Sequence, residues 1–142
     1  MTHVLIVDDS LVMRQLIRSM LETEEYTLDD ASDGVEALQA LRASALPGVV
    51  LLDYRMPNLD GWEVLKTVAA AGPPLSDHQY IVISAEASTF PSAYIELLLS
   101  MSIRILPKPF SRDVLVEAVA QAADRLKAPA ALVFPAGGEM EA

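Results

Sequence analysis

Four short runs of mostly aliphatic residues, His3 to Val7, Val49 to Leu52, Tyr80 to Ile83 and Ile103 to Leu106, have strand length and no helical period. A weaker fifth run, Tyr26 to Ala31, contains Asp29 and Asp30 and suits the edge of a sheet better than its centre. Between these runs the apolar period changes. Met13, Leu16, Ile17, Met20 and Leu21 recur at helical spacing, as do Leu115, Ala118, Val119, Ala122 and Leu126. Val35, Leu38 and Leu41 mark a shorter helix, Val64, Leu65 and Val68 another, and YIELLLSMSI a fourth in chain order. Ser10, Asp33 and Ser111 stand where helix N-caps belong, and Gly72 with Pro73 and Pro74 stops the third helix. Five strands thus alternate with five helices. That order predicts an α/β fold in which a parallel sheet lies between two helical layers and its strands are buried on both faces.

In such sheets ligands collect at the carboxyl ends of the strands. The first run ends in Asp8 and Asp9, the third in Asp53, the fourth in Ser84, and the last in Lys108 after Pro107. A carboxylate closing an apolar run such as VVLLD needs something to hold its charge. Three carboxylates at one edge repel one another, which a cation relieves, and oxygen ligands without His or Cys favour a hard ion such as Mg²⁺. A lysine and a hydroxyl opposite that ion supply donors for the oxygens of an incoming phosphoryl group, and one aspartate is free to attack it. On this chemistry Asp53 becomes an aspartyl phosphate.

At 142 residues and 52% hydrophobic composition the chain fits one domain, over residues 1–127. Residues 128–142, with two prolines and a Gly pair, read as a flexible tail or the start of a linker. A net charge of −10 argues against direct nucleic-acid binding, which needs clustered Lys and Arg. With no cysteine there is neither a disulfide nor a thiolate metal site. The run Val4 to Val7 is too short for a signal peptide or a membrane span, so a cytoplasmic protein without membrane insertion is expected.

VDDS followed by an arginine-bearing helix, LLDYRMPNLDG, VISAE and LPKPF together resemble the receiver domain of two-component response regulators. The resemblance covers roughly residues 3 to 127, and VDDSLVMRQLIRSML looks like the chemotaxis receiver subgroup. It implies a flavodoxin-like (βα)5 fold with strand order 2-1-3-4-5. It also implies that Asp53 is the phospho-acceptor, that Ser84 moves to meet the phosphoryl group, and that Lys108 pairs with it. Mg²⁺ would be held directly by Asp9 and Asp53, through water by Asp8, and by the backbone carbonyl of Arg55. The Lys108–Pro109 bond would be cis. The phosphoryl donor would be a histidine kinase or a histidine phosphotransfer protein, and the group would later be lost by hydrolysis, with no other enzymatic activity. Output would run through the face formed by the fourth helix, fifth strand and fifth helix.

The chain departs from the family pattern at Ile105, three residues before the lysine, where Tyr or Phe is usual. Coupling to output would then pass through Ser84 and the loop after the fourth strand, or through Tyr94 or Phe90. This departure keeps open a pseudo-receiver, a protein–protein interaction module that signals without phosphate. Arg55 and Glu86, each two residues beyond a site residue, are placed to pair across the site and slow hydrolysis. In the fourth helix, Ile95, Leu98 and Leu99 read as the core stripe, leaving Tyr94, Leu97 and Met101 either for a homodimer or output partner or for deeper burial. Asp60-Gly61 reads as turn chemistry, Trp62 as packing, and His3 and His78 as structural. A haloacid dehalogenase would need D-x-D where the chain has DDS, a flavodoxin would need a hydroxyl-rich loop there, and no GxGxxG or P-loop motif occurs.

Overall fold

The computed structural model describes residues 1–22 and 24–127. The strands are β1 (Thr2–Val7), β2 (Tyr26–Ala31), β3 (Val49–Asp53), β4 (Gln79–Ser84) and β5 (Arg104–Pro107). The helices are α1 (Leu11–Leu21), α2 (Gly34–Ala43), α3 (Gly61–Ala71), α4 (Ser92–Ser100) and α5 (Arg112–Lys127), with 3-10 turns at Leu75–Asp77 and Ala87–Thr89. The strands form one parallel sheet in the order β2-β1-β3-β4-β5. The acid-bearing β2 is an edge strand, as its composition implies. The Lys108–Pro109 peptide is cis.

Alternation within the buried strands divides the core in two. Leu5, Val7, Val50, Leu52 and Val82 face α2, α3 and α4, meeting Leu38, Leu41, Val64, Leu65, Val68, Tyr94 and Leu98. Val4, Ile6, Val49, Leu51, Ile81 and Ile83 face α1 and α5, meeting Ile17, Leu21, Leu115, Ala118, Val119 and Ala122. Every residue of β3 is buried, which is why that run shows no polar alternation.

Helix boundaries follow the caps. The Ser10 Oγ accepts from the Met13 N–H, Asp33 Oδ1 from Glu36 N–H, and Ser111 Oγ from Val114 N–H. Asp60, read from the sequence as turn chemistry, is the N-cap of α3 in a full capping box with Glu63. Gly72 ends α3 at φ +68°, a left-handed conformation that favours glycine.

Three apolar positions depart from the sequence stripes. Leu16 and Val35 are exposed, lying beside the buried stripes of Ile17 and Leu21 in α1 and of Ala37, Leu38 and Leu41 in α2. The larger correction is in α4, where the core stripe is Tyr94, Leu97, Leu98 and Met101, at i, i+3, i+4 and i+7. Tyr94 is 0% exposed, whereas Leu99 is 74% exposed. Of the expected stripe, Leu98 is buried and Ile95 packs against the core, and only Leu99 turns outward, its place taken by Tyr94. Tyr94 is buried and Leu97 and Met101 are half-buried against the molecule's own core, so of the two readings open for them the structure shows the deeper burial and not a partner surface.

Candidate functional site

The sheet register delivers the polar residues to one edge. Asp53 pairs with Ile83 and Ser84 with Pro107, so three strands end together beside the Asp8-Asp9 pair that follows β1. Backbone bonds fix the ends: Tyr54 N–H donates to Ile83 O, and Lys108 N–H to Ser84 O. The loop after β3 folds back, with Gly61 N–H donating to Tyr54 O at 2.9 Å. A Cβ at Gly61 would stand 2.9 Å from the Asp53 carbonyl oxygen, so this close approach needs glycine.

Asp8, Asp53 and Ser84 are buried, and Asp9 is exposed at the mouth. One carboxylate oxygen from each of Asp8, Asp9 and Asp53 lies within 4.8 Å of the others. Lys108 Nζ donates to Asp53 Oδ1 at 2.9 Å and stands 3.7 Å from Asp8 Oδ2. Burial pushes the Asp53 carboxyl up to about 6; the Lys108 hydrogen bond opposes the rise, and the charges of Asp8 and Asp9 add to it. Burial likewise raises Asp8, against its hydrogen bond from Ser10 N–H and the charge of Lys108. Burial pulls Lys108 down, but the hydrogen bond and charge of Asp53 and the charge of Asp8 outweigh it, so it stays an ammonium. The donor set is three carboxylates with one ammonium among them, all oxygen on the ligand side. That set fits a hard divalent ion such as Mg²⁺.

Ser84 Oγ accepts from Glu86 N–H at 2.9 Å, which ties the β4–α4 segment to the site. The Arg55 and Glu86 side chains form a two-point ion pair that joins the segments after β3 and β4, a pairing their positions suggested. Ile105 is half-buried against the core below α4. Two supports were not read from the sequence. Arg14 donates to the Asp8 carbonyl at 2.6 Å and pairs with Asp30, bracing the acidic edge from α1. Tyr54, Phe90 and Tyr94 form an aromatic cluster, with Tyr54 to Phe90 at 4.5 Å and Tyr54 to Tyr94 at 5.3 Å between ring centroids. The sequence singles out Tyr94 and Phe90 as coupling candidates, but not their meeting on Tyr54, directly after Asp53. His78 is structural as expected: it is buried, and its Nδ1 accepts from Gly48 N–H.

The segment 128–142 lies outside the described residues. Among the described residues, no helix is long and apolar enough to cross a membrane.

Residues 4–120 match the family model of the response regulator receiver domain. Response regulator MprA of Mycobacterium ulcerans (strain Agy99) is 36% identical over 114 residues, which cover 80% of this chain and 47% of that protein. The chain thus spans about half the length of the curated relatives it matches. The Francisella response regulator 1452 receiver domain superposes with a TM-score of 0.75 at 33% identity, over 88% of this chain and 98% of that one. A CheY-like receiver domain protein from Methanospirillum hungatei JF-1 shares the fold with a TM-score of 0.77 at 24% identity, over 89% and 97% of the two chains. A family model that spans both cores and every strand end of the site settles the affiliation: the chain belongs to the response regulator receiver domains of two-component signalling.

Proposed function

We propose that this receiver accepts a phosphoryl group on Asp53 from a phosphohistidine of a histidine kinase or histidine phosphotransfer protein. The observation that carries the proposal is the contact between Lys108 Nζ and Asp53 Oδ1 at 2.9 Å, inside a cluster of three carboxylates. A buried aspartate held by one ammonium at a strand end is a positioned nucleophile. Mg²⁺, bound by Asp9, Asp53 and the Arg55 backbone carbonyl with Asp8 acting through water, would neutralise charge that builds on the phosphoryl oxygens.

An Asp53 carboxylate oxygen attacks phosphorus as the donor's N–P bond breaks. The bonding electron pair leaves with the imidazole, which takes up a proton, and an acyl phosphate remains on Asp53. Lys108, released from the carboxylate oxygen, pairs with a phosphoryl oxygen, and the Ser84 hydroxyl donates to another. Hydrolysis would reverse the modification when water reaches phosphorus, and the Arg55–Glu86 pair, joining the segments after β3 and β4, would hinder that water.

A protein donor suits the surroundings. Leu11 and Val12 are exposed at the start of α1, and a groove of about 250 Å³ beside Lys108 is lined by Met13, Leu16, Ala85, Pro109 and Phe110. Apolar surface around the mouth of a charged site suits a protein face better than a small anion. Output would leave by the α4–β5–α5 face, where Leu99 is exposed and Arg104 of β5 bonds Gln121 of α5. The protein would work in the cytoplasm, where such kinases hold their phosphohistidines.

Intact mass after incubation with acetyl phosphate and Mg²⁺ tests the proposal. One phosphoryl adduct on wild type, absent in Asp53→Asn and in EDTA, is expected. No adduct, together with no Mg²⁺-dependent change in Trp62 fluorescence, would favour the pseudo-receiver, the reading to which Ile105 points.

A further inference from the structure

We infer that Tyr94 is a positioning residue for phosphoryl acceptance: it holds the segment from Ser84 to α4 in a resting arrangement and yields it when the Ser84 hydroxyl is recruited. The inference rests on the phospho-acceptor reading above and assigns that site's control to α4.

Tyr94 is fully buried, and its hydroxyl has no hydrogen-bond partner among the described residues. A buried hydroxyl without a partner destabilises the state that contains it, because its desolvation is uncompensated. The ring, by contrast, is held on three sides. Tyr54 stacks on it at 5.3 Å, Phe90 lies at 4.8 Å and Trp62 at 5.5 Å. Tyr54 follows Asp53 directly. Phe90 closes the 3-10 turn that follows Glu86, and Glu86 N–H donates to Ser84 Oγ. The two chain segments that carry the nucleophile and the hydroxyl therefore meet on one ring.

When Ser84 turns its hydroxyl to a phosphoryl oxygen, Glu86 N–H loses its acceptor and the turn from Ala87 to Thr89 must shift. Phe90 moves with it, and the stack on Tyr94 repacks. A close-packed cluster of this kind changes between discrete arrangements more readily than it deforms continuously. Repacking also gives the Tyr94 hydroxyl its chance to reach a partner or water. The resting state thus carries a penalty that the phosphorylated state sheds, which favours phosphorylation.

Tyr94→Phe removes the hydroxyl and keeps the ring. Thermal denaturation of wild type, Tyr94→Phe and Tyr54→Phe, paired with calorimetric titration of each with beryllofluoride in Mg²⁺ as a stable phosphoryl analogue, tests the inference. Tyr94→Phe is expected to melt higher than wild type when free, yet to bind beryllofluoride at least about fivefold more weakly. Tyr54→Phe, whose ring is only half-buried, should match wild type within about twofold. An unchanged beryllofluoride affinity in Tyr94→Phe would reduce Tyr94 to packing and overturn the inference alone. A lower melting temperature in Tyr94→Phe would mean that the hydroxyl is satisfied at rest, and would overturn it too. If wild type bound no beryllofluoride, the phospho-acceptor reading itself would fall, and this inference with it.

Discussion

Lys108 Nζ reaches two carboxylates at once, Asp53 Oδ1 at 2.9 Å and Asp8 Oδ2 at 3.7 Å, so a single ammonium is shared between the two buried negative charges at the sheet edge. Removing it leaves two desolvated carboxylates facing each other. Lys108→Met is therefore expected to lose about 1–3 kcal/mol of stability at neutral pH without Mg²⁺. Because the ammonium no longer competes for the carboxylates, the same variant should bind Mg²⁺ more tightly, and Mg²⁺ should restore part of the loss. Urea midpoints with and without Mg²⁺ check both; a variant as stable as wild type in EDTA would contradict the account.

The ion pair of Arg55 with Glu86 joins two exposed side chains, so its contribution to stability should be small. Its expected effect is kinetic. Arg55→Asn should hydrolyse its acyl phosphate several-fold faster than wild type, as followed by the decay of the phosphorylated mass over time. An unchanged decay rate would dismiss the pair as a barrier to water.

Gly61 allows the loop after β3 to pass under Asp53. Gly61→Ala puts a methyl group 2.9 Å from the Asp53 carbonyl oxygen, against backbone that has little freedom to retreat. A loss of about 1–3 kcal/mol is expected, with slower phosphorylation at full folding because Asp53 is displaced. Chemical denaturation and the rate of acetyl phosphate labelling measure the two effects separately.

Burial holds the His78 imidazole below its ordinary range, against the hydrogen bond from Gly48 and the charge of Asp77, while His3 adds to the depression. Its Nδ1 is an acceptor, so protonation loses that bond as well as burying a charge. The unfolded state then binds the proton more readily, and the stability His78 contributes is present above about pH 6.5 and lost as pH falls below it. Asp53, raised to about 6 by burial, works in the opposite direction, gaining stability as pH falls from there toward its unfolded range. The difference between wild type and His78→Asn, which keeps an acceptor for Gly48, isolates the histidine. Wild type should lose stability relative to the variant between pH 7 and pH 5; parallel pH profiles would contradict this.

The strands, and the meeting of Asp8, Asp9, Asp53, Ser84 and Lys108 at one sheet edge, were legible in the sequence because each rests on a local signal. A β3 run with five consecutive buried residues, ended by a carboxylate, has few other uses, and Asp8, Asp9, Ser84 and Lys108 stand at ends that one parallel register brings together. The phase of α4 was not legible. YIELLLSMSI is apolar nearly all round, so periodicity alone does not choose between the Leu99 side and the Tyr94 side; the turn before Pro91 makes that choice. Leu99→Ser should accordingly change stability by no more than about 0.5 kcal/mol, whereas Leu98→Ala should cost about 2–4 kcal/mol, as thermal or urea denaturation would register. The role of Asp60 was missed for a different reason: Asp-Gly serves turns and N-caps alike, and only Glu63 three residues later marks the capping box. The aromatic cluster joins residues far apart in sequence, for which no local pattern exists.

Borohydride reduction tests the central claim most directly. It converts an acyl phosphate to an alcohol, so a phosphorylated aspartate becomes homoserine and keeps its position in the chain. Protein phosphorylated in Mg²⁺, reduced, digested and mapped by mass spectrometry should carry homoserine at position 53 and at no other aspartate. Phosphate recovered on Ser84, or homoserine at Asp8 or Asp9 with position 53 unmodified, would contradict the account.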